Sequence, residues 1–195
     1  MLVSRDLPVD SLQDLIAWLK ANPKKASYGW GATVSQLAGG ALLARTGTTA
    51  AGVAYRSSPQ AVTDLLGGQI HFIVLDVTTA LAHIKAGRAK GLAVTSPQRL
   101  NALPDVPTMA QAGVPDFAAA TWVGVFAPSG TPEPIVRRLN EAIRTVQTKT
   151  SVPQRMDTCC SASMLITTPA EFGEYVRKDR ALWGERITAM GIKPE

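Results

Sequence analysis

The sequence predicts an α/β protein, a parallel-rich sheet flanked by helices, on three observations. Short apolar runs without polar alternation recur along the chain, the pattern of strands buried on both faces. Amphipathic stretches that begin at helix-capping residues stand between them. The links are short, so strand and helix should follow one another as right-handed crossover units.

The first helix is announced by Ser11 before "LQDLIAWLKAN". Leu12, Leu15, Ile16 and Leu19 share one face, Asp14 completes a capping box, and Pro23 lies beyond the end. "ASYGW" is the next apolar run and leads through glycines into "ATVSQLAGG", a helix-like stretch; "AAGVAYR" follows as a strand. "SSPQAVTDLLGG" has Ser58 as N-cap, Pro59 in the first turn and Gly67 past the end. "IHFIVL" is a strand, "TTALAHIKAG" a short helix and "KGLAVT" a strand. The stretch from "TSPQRLNALPDV" to "GVPDF" carries four prolines and reads as a long ordered connection. "WVGVFA" is a further strand. "TPEPIVRRLNEAIRTVQ" is a helix with Thr131 and Pro132 at its start, expected to bury Ile135, Val136, Leu139, Ile143 and Val146. "SMLIT" is a last strand. Thr168 and Pro169 open a final helix whose apolar stripe is Phe172, Tyr175, Val176, Leu182, Trp183 and Ile187.

The chain has 195 residues, 46% of them hydrophobic and 18% charged, enough for one large domain or two small lobes. Its net charge of +5 is spread thinly, and no Lys/Arg block marks a nucleic-acid arm. No apolar run approaches the ~20 residues needed to span a bilayer. The N-terminal "MLVSRDLPVDSL" lacks the charged and apolar regions of a signal peptide. Cys159 and Cys160 are adjacent, so two free thiols are expected rather than a strained ring or a metal site.

The chemistry-bearing feature is "YGWGATVSQLAGG", which passes from a strand through Gly29 and Gly31 into a helix start. Free N–H groups there make an anion site, to which Thr33 and Ser35 add hydroxyls; a plain tight turn is the competing reading. "GWGATV" also matches two glycines of a dinucleotide fingerprint, with Val34 at the third position, and Arg56 in "AYRSS" could then meet a ribose phosphate. Asp76, after "IHFIVL", is placed either to line a ligand crevice or to cap a helix. Trp30 and Trp122 either wall a pocket or belong to the core. His71 and His83 have no thiols or carboxylates at ligand spacing, and no nucleophile elbow is present.

Along its whole length the chain resembles the Bug (TctC-like) solute-binding proteins of tripartite tricarboxylate transporters. The resemblance rests on the spacing of "LLGGQ", "HIKAG", "LAVTS", "LPDVPT" and "APSGTP", within longer matches such as "SLQDLIAWLKANPKKASYG" and "TPAEFGEYVRKDRALWGERITAMGIKPE". It implies a type II periplasmic-binding-protein-like fold. It also implies a non-enzymatic, cofactor-free, periplasmic role: capture of a small carboxylate (a di- or tricarboxylate, acidic amino acid or aromatic acid) for membrane subunits of such a transporter. The family's second-lobe ligand loop matches "YGWGATVSQL", which implicates Trp30, Gly31, Ala32, Thr33 and Ser35, with Asp76 nearby.

The chain departs from the pattern in a shorter loop, in Gln36 where histidine is common, and in Leu75 where an aspartate is frequent. It also lacks a "PFPPGG"-like first-lobe segment. Residues 1–122 should therefore form the second lobe and 123–195 the return half of an incomplete first lobe, prone to self-association. The alternatives are an NADP-binding reductase domain and a truncated remnant without transport function.

Overall fold

Ser11 closes the first helix as its spacing predicts: its Oγ accepts the Asp14 N–H at 3.1 Å, and Asp14 Oδ2 accepts the Ser11 N–H at 2.9 Å. That reciprocal pair satisfies two donors a helix start otherwise leaves free. A computed structural model of the chain describes residues 1–117, 119, 121–160 and 162–189. It divides into two units, Met1–Thr121 and Trp122–Glu195.

The first unit runs β1 (Leu2–Ser4), α1 (Leu12–Ala21), β2 (Ser27–Trp30), α2 (Thr33–Thr46), β3 (Ala51–Ala54), α3 (Ser58–Leu66), β4 (Phe72–Ile73), α4 (Val77–Lys85) and β5 (Ala89–Gly91). The strands form one sheet in the order β3-β2-β4-β1-β5. β2 pairs in parallel with β3 and β4. β1 is a strand the sequence reading did not place, because three residues are too few to show a period. It runs antiparallel to β4 and β5, so the sheet is mixed rather than parallel throughout.

Strand alternation sorts the core into two layers. Val3 and Phe72 face a cluster with Leu12, Leu15, Leu19 and Leu42 from α1 and α2. Leu2 and Ile73 face the other cluster, with Ala61, Leu65 and Ala80 from α3 and α4. α2 ends at Gly47, whose φ of 61° is left-handed, a conformation glycine adopts without a Cβ penalty. α3 is capped at Ser57, one residue before the expected Ser58, with Gly67 past its end as read. The proline-rich connection is ordered as expected: Val94 bridges Thr108, and Met109 is fully buried.

His71 lies just before β4. Its Nδ1 accepts the Ser27 N–H at 3.1 Å and stands 2.9 Å from Ser27 Oγ, with the Trp18 ring 4.7 Å away. A ring nitrogen that accepts carries no proton, so the fold holds a neutral imidazole. Burial pushes its pKa below the ordinary value, a backbone contact with Ser27 opposing in part. The unfolded chain binds this proton below about pH 6.5, whereas the folded chain resists it. Stability from this site is therefore fully present above that pH and lost as pH falls toward the lower folded pKa. A pH series of melting temperatures is expected to fall over that window, and His71→Asn to flatten the fall. An unchanged slope would show that His71 is not its source.

The second unit comprises α5 (Glu133–Lys149), α6 (Val152–Cys160) and α7 (Pro169–Ala189). α6 was not anticipated. α7 starts at a capping box: Glu171 Oε2 accepts from the Thr168 N–H and hydroxyl, each at 2.8 Å. The cap of α5 is Pro132 rather than Thr131. Trp122 packs edge-on against Phe172 and Tyr175, with ring centroids 5.6 and 5.7 Å away, and its indole N–H donates to Asp179 at 2.9 Å.

Two expectations fail here. "WVGVFA" and "SMLIT" are irregular chain, not strands. A strand needs a neighbour to take its N–H and C=O groups, and no described segment of this unit pairs with either run. Val123 is accordingly fully exposed. Nor does α5 bury its apolar stripe: Ile135 and Leu139 remain about half exposed, although α5 packs on α6 and α7 and Asn140 and Gln147 donate to the carbonyls of Thr167 and Leu165. The thiol expectation for Cys159 and Cys160 concerns side chains outside those described.

Candidate functional site

Because β2, β3 and β4 are parallel neighbours, their carboxyl ends share one sheet edge, and α2, α3 and α4 all begin there. This is the edge at which α/β sheets collect ligands.

Gly31 and Ala32 join β2 to α2. Ala32 is the N-cap and has no side-chain oxygen to offer the helix. Its carbonyl accepts the N–H groups of Ser35 at 3.0 Å and Gln36 at 3.2 Å. The N–H groups of Thr33 and Val34 find no acceptor among the described residues. No acidic residue stands in this first turn. The positive end of a 14-residue helix is thus uncompensated, with Ala32 and Thr33 exposed beside it. Ser35 is only 5% exposed, and its hydroxyl has no partner among the described residues.

α3 begins against the same loop. Tyr55 N–H donates to the Trp30 carbonyl at 2.9 Å, extending the β2–β3 ladder one residue beyond the strands. A Cβ on Gly31 would fall on the backbone of Ser57 and Ser58, within 2.6 Å of the Ser57 carbonyl oxygen. Two helix starts therefore touch through a glycine. Ser57, the N-cap of α3, makes no side-chain cap bond, and no acid occupies that first turn either.

α4 is different. Asp76 is its N-cap, with Oδ1 accepting the Thr79 N–H at 2.8 Å and Oδ2 accepting the Thr79 hydroxyl at 3.0 Å; the Thr78 hydroxyl also donates to Oδ1. Burial opposes ionisation of Asp76, but these hydrogen bonds outweigh it and hold the carboxyl below its usual range. Both oxygens are engaged within their own helix turn. One of three helix ends is closed by a carboxylate, and two are open to an outside anion.

Of the residues singled out by sequence, Gly31, Ala32, Thr33 and Ser35 come together at the α2 start. Asp76 caps the helix after the adjoining strand. Trp30 lies across Gly52 of the edge strand, where a Cβ would meet its ring at 2.7 Å, and packs 5.2 Å from Tyr28. Trp122 belongs to the second unit. The sequence reading did not place Ser57 and Ser58 at the site; the capping pattern "SSP" after a strand parallel to β2 carried that signal.

Elsewhere, a groove of about 550 Å³ lies between α3 and α4, with Val62 and Leu66 on one wall and His83 and Arg88 in its lining. His83 Nδ1 is buried with no hydrogen-bond partner among the described residues. Among the described residues no cluster of three His, Cys, Asp or Glu side chains can hold a metal ion, and no helix is long and apolar enough to cross a membrane. The β2–α2 edge suits recognition of an anion by fixed dipoles.

Residues 1–165 match the family described as the tripartite tricarboxylate transporter family receptor, TctC. BugT of Bordetella pertussis is 32% identical over 195 residues, covering 99% of this chain and 60% of that protein. A UPF0065 protein encoded in the clcB-clcD intergenic region of Pseudomonas knackmussii is 35% identical over 156 residues, covering 80% of this chain and 92% of that protein. Among solved structures, R. palustris Rpa4515 with adipate superposes with a TM-score of 0.87 at 30% identity, covering all of this chain and 66% of that one. The periplasmic binding protein BugD gives 0.80 at 29% identity, again covering 66% of its length. The chain thus spans about 60% of the length of BugT and two thirds of these structures, and shares their type II periplasmic-binding-protein-like fold.

Proposed function

Because the chain belongs to the tripartite tricarboxylate transporter receptor family, a family of solute-binding proteins rather than enzymes, we propose that it captures a small carboxylate at the start of α2. The supporting observation is the uncapped first turn, where Thr33 and Val34 N–H groups and the Ser35 hydroxyl lack partners among the described residues. A carboxylate seated there accepts those hydrogen bonds and compensates the helix dipole without a counter-charge. The related R. palustris protein holds adipate, which supports the same ligand chemistry here. On this reading residues 1–122 serve as the second lobe and 123–195 as part of a first lobe, closing on the ligand in the periplasm. The closed form would then be presented to transporter membrane subunits.

The reading is tested with adipate, glutamate and benzoate. At least one is expected to raise the melting temperature by mass action on the folded chain, with NADPH giving no shift. Thr33→Ala/Ser35→Ala removes the two side-chain hydroxyls of the first turn, each the donor of a charge-assisted hydrogen bond worth ~1.5–3 kcal/mol, so affinity drops about a hundredfold or more while the unliganded melting temperature stays put. Unchanged affinity in that variant would leave the loop a plain turn.

A further inference from the structure

The α2 start accounts for one acidic group of a ligand; the neighbouring strand end supplies a place for a second. β3 lies at the sheet edge and ends at Ala54, opposite Trp30. Val53 and Tyr55 pack on the side that carries α3 and α4. A Cβ at Gly52 would meet the rings of Trp30 and Tyr28, which belong to the opposite side, with α1 and α2. Arg56 follows at the bend between Tyr55 and Ser57, and the backbone of Ser57 lies against Gly31 at the start of α2.

Arg56 is exposed and forms no ion pair or hydrogen bond with any described residue. Its surroundings make that unusual. Neither α2 nor α3 has an acid in its first turn, and Asp76 is committed to α4. A guanidinium and two uncapped helix starts therefore share one edge whose capping acid, Asp76, is bonded within α4, and an anion would relieve that concentration of positive potential. Ser35 points independently to a ligand: it is 95% buried in the first turn of α2, yet its hydroxyl bonds to nothing described. That hydroxyl is not sealed either, since His83 Nδ1 is the one fully buried side-chain atom without a partner among the described residues. A buried hydroxyl left open to solvent beside uncompensated N–H groups is a half-built hydrogen-bond set.

We propose that Arg56 is a specificity-determining residue of this site: one carboxylate sits on the α2 start, and the guanidinium receives a second acidic group. The inference rests on the carboxylate reading above. The fork geometry of a guanidinium favours a carboxylate over a neutral tail, so Arg56 selects dicarboxylates over monocarboxylates of the same length.

The test uses the full chain, labelled with nitrogen-15, titrated with adipate and with hexanoate at constant ionic strength. The amides of Thr33, Val34 and Ser35 report the α2 site, and the Arg56 Nε–H reports the second contact. Both acids are expected to shift the three amides, and adipate alone to shift Arg56 Nε–H. Adipate should bind about tenfold tighter than hexanoate, the size of one charge-assisted contact. Arg56→Gln should bring adipate down to the hexanoate level and leave hexanoate within about twofold, and Arg56→Lys should restore part of the preference. An adipate preference that survives Arg56→Gln, or a wild-type chain with no preference, overturns the role of Arg56 while the α2 site stands. Amides at 33–35 unmoved by either acid overturn the site itself and this inference with it.

Discussion

Phe72→Ala is expected to lower the unfolding free energy of the first unit by ~3–5 kcal/mol, the range for emptying a fully buried aromatic site. Phe72 has no exposed surface and lies on β4, which joins the two halves of the sheet. It pairs in parallel with Tyr28 of β2 and antiparallel with Val3 of β1. Its ring stacks on Tyr28 at 5.3 Å between centroids, with planes 15° apart, and joins the cluster of Leu12, Leu15 and Leu42. Removing the ring leaves a cavity bounded by strands on both sides, which cannot collapse without breaking the ladder. Since net stability is typically ~5–15 kcal/mol, such a loss takes much of it. Denaturant titration followed by tyrosine and tryptophan fluorescence measures it. Val123→Ala, at a fully exposed residue, serves as control and should stay within ~0.5 kcal/mol. A loss below 1 kcal/mol at Phe72 would mean that β4 is not the keystone of the sheet.

Gly31→Ala should cost less stability than this, and it acts on the proposed site. Gly31 does not have a positive φ, so the requirement is for space rather than for backbone freedom. An added Cβ falls on the backbone where α3 begins, and that backbone is held by Pro59 and by the Ala61 N–H bond to the Ser57 carbonyl. No flexible side-chain tip is there to swing away. One helix start must move relative to the other, at a cost of ~1–3 kcal/mol in the overpacking range. Carboxylate binding should fall more steeply than stability, because the displaced N–H groups are those proposed to hold the carboxylate. Calorimetry with adipate beside thermal melts separates the two effects. Wild-type affinity in a folded Gly31→Ala chain would show that the contact between the α2 and α3 starts has no part in recognition.

Much of this was legible in the chain because it is written locally. The capping box at Ser11 and Asp14 and the stop at Gly67 depend on residues within a turn of one another, and they form as read. The glycine loop into "TVSQL" left an anion site and a plain turn both open, and it is the structure that puts Ala32, with no side-chain acceptor, at the cap. "WVGVFA" and "SMLIT" show the limit of such reading. Their composition suits strands, but a strand exists only when another backbone accepts its hydrogen bonds, and composition does not supply one. Likewise α5 has an amphipathic stripe with little in its own unit to bury it.

By itself the sequence determined the capped starts of α1 and α7, the stop of α3 at Gly67, and which runs of the first unit are apolar enough for the sheet. These follow from propensity, capping and the hydroxyls a residue carries. The tertiary structure alone decided that β1 runs antiparallel beside β4, that Gly31 presses the α2 start onto Ser57 and Ser58, and that Asp76 spends its carboxylate on α4. Strand direction and the meeting of loops some 25 residues apart depend on which surfaces pack together. That choice is set by the whole core at once and by no single stretch of chain.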